Sequence, residues 1–90
     1  MKTKHQVRKN FRQSVFSRDK FRCRKCNKTG VLDAHHITDR HNMPNGGYVK
    51  ENGISLCGFC HLNAGHGIYT PDELYGLIGS SYEIAYQKSL

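Results

Sequence analysis

The chain has 90 residues, four cysteines, six histidines and a formal net charge of +7. This length allows one domain, and so small a core usually needs a disulfide, a metal or a partner chain for stability. The sequence has neither the apolar run of a signal peptide nor the roughly 20 apolar residues of a membrane span, so we expect a cytoplasmic protein with reduced thiols and no membrane contact.

Positive charge is concentrated at one end of the chain. Residues 1–28 contain 11 of the 14 Lys and Arg residues and one acid, Asp19, whereas residues 29–90 carry a net charge of −3. A basic segment of this kind indicates a nucleic-acid partner, although a solvated helix face with a tail has the same composition. The residues predicted to contact DNA phosphates are Arg8, Lys9, Arg12, Arg18, Lys20, Arg22, Arg24 and Lys25.

The first predicted element is a basic helix over residues 7–19, preceded by a frayed tail over residues 1–6. Val7, Phe11 and Val15 recur at every fourth position, which gives an amphipathic helix its apolar face. We expect this face to pack on the domain and the basic side chains to point outward.

Residues 21–67 are predicted to form the core of the domain. Residues 31–38 have the pattern of a strand, and residues 39–50 form a loop rich in Asn, Gly and Pro. A short second strand over residues 54–56 would pair with the first as a hairpin with a long connection. A helix follows directly and ends by residues 65–67, where glycines are available to close it.

The C-terminal segment, residues 70–90, is predicted to be helical. Thr70 at the N-cap and Pro71 at the first position indicate a helix over residues 71–78. Further helical turns are predicted over residues 82–88. No chemistry is expected in this segment, and packing and solubility account for its residues.

Two C-x-x-C pairs, Cys23 with Cys26 and Cys57 with Cys60, predict a structural zinc site. Two residues between thiolates let a tight turn place both sulfurs on one ion, and two such turns complete a tetrahedral shell. The 30 residues between the pairs leave room for the predicted hairpin. Two disulfides or redox-active dithiols are weaker alternatives, because there is neither a secretory context nor a redox-type strand and helix.

A further pattern joins the cysteine pairs: His35 and His36 on the first strand, Asn52, and His61 directly after Cys60. With both cysteine pairs, this pattern resembles the HNH endonuclease family over about residues 8–66. The resemblance implies a small α+β fold, the ββα-metal motif, in which a two-stranded hairpin and a helix are stapled by zinc. Helices would flank this core on its N- and C-terminal sides.

The resemblance also implies roles for these residues in hydrolysis of DNA phosphodiester bonds. His36 would be the general base, and His35 and His61 would hold a catalytic metal. Asn52 would either bind that metal or hold the loop and orient the base. The candidate metals are Mn²⁺, Ni²⁺, Zn²⁺ and Mg²⁺, of which two imidazoles without an obvious carboxylate favour the transition metals.

The two adjacent histidines pose a geometric problem. Neighbouring strand residues point to opposite faces, yet His35 and His36 must serve one site. The phosphate is therefore expected at the edge of the strand, or the strand must twist or bulge there.

Three further residues are candidates for the site. His66 follows His61 by five residues, where many family members have a histidine four residues on, and it could reach the metal if the helix ends at residue 65. His41 lies in the nearby loop and is expected to be an ordinary exposed histidine. Asp33 shares a strand face with His35 and is either a partner for a ligand imidazole or a solvated acid.

Three readings of the function remain open from the sequence. The first is an endonuclease that grips the DNA backbone with little sequence preference. The second is a zinc-stabilised DNA-binding module without catalysis, which would not need the three histidines. The third is a nuclease subunit that works as a homodimer or in a larger DNA-processing assembly of a phage or mobile element.

Overall fold

Two antiparallel strands and four α-helices make up the fold in the computed structural model, which describes residues 2–90. Along the chain the elements are α1 (Lys4–Arg18), β1 (Leu32–His36), β2 (Gly53–Cys57), α2 (Gly58–Gly65), α3 (Pro71–Leu77) and α4 (Tyr82–Ser89). The expected α+β architecture of a hairpin and a helix with flanking helices is confirmed. No helix among these residues has both the length and the apolar character that crossing a bilayer requires.

Helix α1 begins at Lys4, three residues before the predicted start. The Thr3 side chain accepts a hydrogen bond from the Gln6 backbone N–H at 3.1 Å, and the Gln6 side chain accepts one from the Thr3 N–H at 3.0 Å. This reciprocal cap satisfies two N–H groups that a helix start otherwise leaves unpaired. Residues 4–6 are therefore helical and not a frayed tail, and Met1 lies outside the described residues.

The hairpin places the end of β1 beside the start of β2. His36 is paired with Gly53 in the register, and the connection over residues 37–52 contains three short 3-10 turns. β2 is buried along its whole length, and Ile54 and Leu56 are fully excluded from solvent. The predicted hairpin with a long connection is thus present, and β2 is its fully buried strand.

Helix α1 lies across the end of the hairpin and buries Phe11 and Val15 there, while Val7 is half-buried. Gly53 permits this contact. A Cβ atom at Gly53 would lie 2.5 Å from Cγ2 of Val15 and 2.7 Å from Cζ of Phe11. The absence of a side chain at this position therefore allows α1 to approach the strand closely.

A buried carboxylate joins the end of α1 to β2. Asp19 is 3% exposed. It accepts hydrogen bonds from Nε and Nη2 of Arg18, both at 2.8 Å, and from the backbone N–H of Ser55 at 2.9 Å. Arg18 also donates to the carbonyl of Gly53 at 2.7 Å. These bonds compensate for burying the charge, so Arg18 and Asp19 have a structural role.

The C-terminal helices close the core. The Thr70 hydroxyl accepts a hydrogen bond from the Glu73 N–H at 3.2 Å, as the predicted cap requires. α3 then buries Leu74 and Tyr75, and α4 buries Ala85. These side chains join a cluster with the hairpin and the cysteines.

Candidate active site

The four cysteines come together at the junction of the hairpin and α2. Their Sγ atoms all lie within 4.8 Å of one another, and those of Cys26 and Cys57 are 3.7 Å apart. A tetrahedral ion with sulfur ligands at about 2.3 Å would separate the sulfurs by about 3.8 Å. Burial raises the pKa of the Cys60 thiol to about 12, so a thiolate there needs a cation beside it. The four cysteines are thus positioned to bind a metal.

His35 on β1 and His61 on α2 form a second group. Their rings meet edge to face with centroids 5.1 Å apart. Burial lowers the pKa of His35 to about 4, and His61 and His36 add to the effect. His35 is therefore neutral at pH 7, as a metal-binding imidazole must be. The structure brings together the two histidines that the sequence predicted as ligands of a catalytic metal.

Asp33 orients the ring of His61. The Nδ1 atom of His61 donates to Oδ2 of Asp33 at 2.9 Å, which leaves Nε2 as the nitrogen able to bind a cation. Both side chains are partly exposed, 40% for His61 and 49% for Asp33. A carboxylate hydrogen-bonded to a ligand imidazole is a common arrangement in metal sites because it fixes the ring and raises its basicity. Of the two alternatives for Asp33, the structure has the hydrogen-bonded partner.

His36 lies on the opposite face of β1, against α1. Its ring stacks on Phe11 with centroids 4.4 Å apart and an interplanar angle of 22°, and it meets Tyr48 edge to face at 4.8 Å. The Nε2 atom is buried and has no hydrogen-bond partner among the described residues. Burial lowers the pKa of His36, with Asp39 opposing and Arg40 adding to the shift. The result is a neutral imidazole held between two aromatic rings.

The two faces of β1 meet at the end of the strand. His35 and His36 both line one cleft of about 350 Å³, together with Asp39, Gly65 and Tyr69. The strand ends at His36 and the chain turns away, so the cleft is accessible to both adjacent side chains. The two neighbouring histidines thus line one cleft at the end of the strand, although their side chains point to opposite faces of it.

Asn52 is fully buried and its amide is entirely used inside the protein. Oδ1 accepts from the Thr38 N–H at 3.0 Å and from the Tyr75 hydroxyl at 2.7 Å. Nδ2 donates to the carbonyls of Thr38 and Gly47 at 3.0 and 3.2 Å. Asn52 therefore holds the chain that leaves His36, and of its two expected roles the structure has the loop-holding one.

Tyr75 on α3 is a supporting residue that the sequence did not indicate. Its hydroxyl lies 2.6 Å from Oγ1 of Thr38 in addition to its bond with Asn52. Residues 70–90 thus pack on the core as expected, and Tyr75 adds a hydrogen bond that holds Asn52. A tyrosine within a helical apolar pattern gives no signal of a partner 23 residues earlier.

The two remaining histidine candidates, His66 and His41, are both exposed. His66 follows the end of α2, is exposed, and shares a shallow depression with His61 and Leu62. Within residues 2–90, the cysteines are the only group of three or more such side chains gathered at metal-binding distances, so His66 is not brought into one ligand set with the pair. His41 is exposed and contacts Asp39 at 2.9 Å.

The predicted DNA-contacting residues divide into two groups. Arg18 is bound to Asp19, Lys25 contacts Glu73 at 2.6 Å, and Arg24 donates to the carbonyl of Leu77. Arg22 donates to the carbonyl of Asn27 at 3.3 Å. Within the described part of the chain, ion pairs are absent from five of the predicted residues, which are Arg8, Lys9, Arg12, Lys20 and Arg22, and the side chains of the first four of these also donate no hydrogen bond to a backbone carbonyl.

A family model described as HNH endonuclease matches residues 23–67 of the chain. The match runs from the first cysteine of the cluster to just beyond α2, and so includes the hairpin and all three histidines of the site. Comparison with curated proteins and with solved structures gave no significant match.

Proposed function

The chain belongs to the HNH endonuclease family, and on this basis we propose that it is a metal-dependent endonuclease that hydrolyses phosphodiester bonds in DNA. The observation that carries the proposal is the arrangement of histidines around β1: His35 meets His61 on one face, and His35 and His36 line one cleft at the end of the strand. Binding of DNA without cleavage needs arginine and lysine but no such set of imidazoles.

His36 is the proposed general base. Its lowered pKa keeps the imidazole neutral at pH 7, and Nδ1, unlike the buried Nε2, is the ring nitrogen left to accept a proton from water in the cleft. In the proposed reaction a water oxygen forms a bond to phosphorus, a proton of that water passes to Nδ1, and the bond to the 3′ oxygen breaks, after which this oxygen takes a proton from solvent. Phe11 stacks on the ring and Tyr48 packs edge to face against it, and both contacts restrict its orientation during this transfer.

His35 and His61 are the proposed ligands of the catalytic metal, and Asp33 orients His61. When bound, a divalent cation would supply Lewis-acid stabilisation of the phosphate and of the departing oxygen. We propose Mn²⁺, Ni²⁺ or Zn²⁺ ahead of Mg²⁺, because two neutral imidazoles suit those ions better than an ion that prefers oxygen ligands. Asn52 contributes by fixing the chain after His36 and takes no direct part.

The four-cysteine cluster is proposed to hold a structural zinc ion. Its four sulfurs already fill a tetrahedral shell, which leaves His61 for the second metal. Because His61 directly follows Cys60 on α2, an ion in the cluster would fix the start of the helix that carries a catalytic ligand.

The DNA substrate is proposed to be gripped through its phosphates. Arg8, Lys9, Arg12 and Lys20 are exposed or line surface clefts and have no acidic partner among the described residues, which supports backbone contacts with little sequence preference. One active site cuts one strand at a time, so cutting of both strands would proceed by two successive nicks, by a homodimer or within a larger phage-type DNA-processing assembly.

Incubation of supercoiled plasmid with the zinc-loaded protein and Mn²⁺ tests the proposal. We expect nicking by the wild type and by a His5→Ala variant, whose exposed histidine lies outside the site, and none by His36→Ala. Circular dichroism and zinc content establish that both variants are folded. Equal cutting by wild type and His36→Ala would remove His36 as the base, and absence of cutting with intact DNA binding would favour the non-catalytic binding module.

A further inference from the structure

A cleft lined by arginines lies beside His36, on the α1 side of the hairpin. It measures about 250 Å³, and Arg8 and Arg12 from α1 line it together with Arg40 from the turn after β1. His36 and Tyr48 form part of the same wall. This cleft is separate from the side of β1 on which His35 meets His61.

The charge in this cleft is not compensated. No acidic side chain lines it, and Arg8, Arg12 and Arg40 form no ion pair within residues 2–90. An adjoining cleft of about 280 Å³ shares Arg8, Arg40 and Tyr48 with it and adds Lys2 and Lys4. Together they form a continuous basic groove along the start of α1, in contrast to Arg18 and Lys25, which acids neutralise.

Tyr48 lines both clefts together with Arg8 and Arg40. The Arg40 guanidinium beside the phenol lowers the pKa of Tyr48, and Arg8 adds to this effect. Tyr48 also packs edge to face against both Phe11 and His36, at 5.7 and 4.8 Å between ring centroids. Tyr48 therefore contacts the ring of His36, the proposed base, and lines the same cleft as the two arginines.

Two guanidinium groups brought together without a counter-ion repel each other, and an anion between them removes that repulsion. Arginine is suited to phosphate because its planar fork presents two parallel N–H donors. We propose that Arg8 and Arg40, with Tyr48 between them, bind a backbone phosphate of the DNA strand next to the phosphate that is cut at His36. The identity of this phosphate as a neighbour of the scissile one rests on the proposed function.

The position of this phosphate site defines a path for the DNA strand across the protein. The metal ligands lie on the α2 side of β1 and the arginine cleft lies on the α1 side, with His36 lining clefts on both sides. The cut strand would therefore cross the end of β1 and place successive phosphates on its two sides. Arg40 was not among the residues that the sequence suggested for DNA contact, because it stands outside the basic N-terminal segment.

Binding of a fluorescent DNA duplex, measured by anisotropy between 50 and 200 mM NaCl without added divalent cation, tests the site separately from cleavage. Arg8→Gln and Arg40→Gln are each expected to weaken binding several-fold and to reduce the slope of log affinity against log salt by about 1. Lys28→Gln removes the same charge from an exposed turn outside both clefts and is expected to change neither quantity. Arg40→Lys should restore the slope but only part of the affinity, because it keeps the charge and loses the fork.

Thermal melting of each variant establishes that it is folded, and the two arginines, on different elements, provide independent tests. Affinity and salt slope equal to wild type in both glutamine variants would overturn the site, even if the wild type cuts plasmid. A reduced slope in both, with a wild type that cuts nothing, would retain the phosphate site and reject the nuclease.

Discussion

Asp33 and His61 are 28 residues apart in sequence, yet the Asp33 carboxylate accepts a hydrogen bond from His61 at 2.9 Å. The bond joins β1 to α2 and selects the tautomer of His61 in which Nε2 is available to a cation. Its consequence for metal binding is testable without any cleavage assay.

Replacement of Asp33 by Asn is expected to weaken metal binding by about 10- to 100-fold, because the carboxylate no longer fixes the tautomer and orientation of the His61 ring. Titration of the zinc-loaded protein with Mn²⁺, followed by calorimetry, measures the change. Glu83→Gln removes an acid from α4 and serves as the control. Equal Mn²⁺ affinity in wild type and Asp33→Asn would contradict the role of Asp33.

Removal of the structural metal is expected to unfold the domain. Cys23, Cys57 and Cys60 lie in the same buried cluster as Leu56 and Leu74, and metal binding at such sites is coupled to folding. Circular dichroism before and after treatment with a strong chelator measures the loss of helix. A metal-stripped protein with an unchanged spectrum would show that the cluster is dispensable, whereas His61→Ala should keep both zinc and fold.

Asn52→Ala is expected to destabilise the protein by about 3 kcal/mol or more, because it leaves buried groups of Thr38, Gly47 and Tyr75 without partners. Tyr75→Phe removes only the hydroxyl and should cost about 1 kcal/mol. Denaturant unfolding of the two variants beside the wild type measures the difference. If Asn52→Ala were no less stable than Tyr75→Phe, the amide would not be the centre of this network.

Stability is expected to fall as the pH is lowered, in part through His35. The folded pKa of about 4 lies below the ordinary value of 6.5, so the unfolded chain takes up a proton at His35 before the folded protein does. The contribution of neutral His35 to the free energy of unfolding is complete above pH 6.5 and is lost as the pH falls toward 4.

His35→Asn should therefore show a smaller loss of unfolding free energy than wild type between pH 7 and pH 5. We expect a difference of roughly 1 kcal/mol, since partial contact with solvent weakens the effect. Denaturation at several pH values without added divalent cation measures it, and the zinc site contributes equally to both proteins. Parallel curves of unfolding free energy against pH for the wild type and His35→Asn would contradict the lowered pKa of His35.

The choice of metal provides a further test of the two-imidazole site. Mn²⁺ or Ni²⁺ is expected to support plasmid cleavage at least as well as Mg²⁺, because neutral nitrogen ligands bind the transition metals more strongly. Initial rates at matched concentrations of each ion measure the preference. Cleavage with Mg²⁺ alone would indicate an oxygen-rich site elsewhere on the protein.

The sequence was most informative where the function imposes fixed spacing. The cysteine pairs and the position of His61 directly after Cys60 predicted which side chains would meet, because metal ligands at short separations leave few geometries. The cap at Thr70 and the hairpin likewise follow from local patterns. The start of α1 is also encoded locally, in the capping pair Thr3 and Gln6. The prediction placed it at residue 7 because the apolar positions of the helix begin there.

The contacts that could not be predicted are those made between distant segments. Nothing near Asp19 indicates that its carboxylate is buried against Ser55, or that it neutralises Arg18. In the same way, Tyr75 meets Asn52 only because α3 folds back under the hairpin. Tertiary contacts of this kind decide whether an arginine is paired with an acid or remains unpaired. Composition alone cannot distinguish the two kinds of arginine.

Gly53 determines how closely α1 packs against the hairpin. It is the residue paired with His36, and its bare backbone receives Phe11 and Val15 of α1 at distances that no side chain would permit. Any larger residue there would push α1 away from the hairpin and, with it, Arg8, Arg12 and the Phe11 ring that stacks on His36. The single hydrogen atom of the Gly53 side chain therefore sets the distance between the basic helix and the histidines of β1.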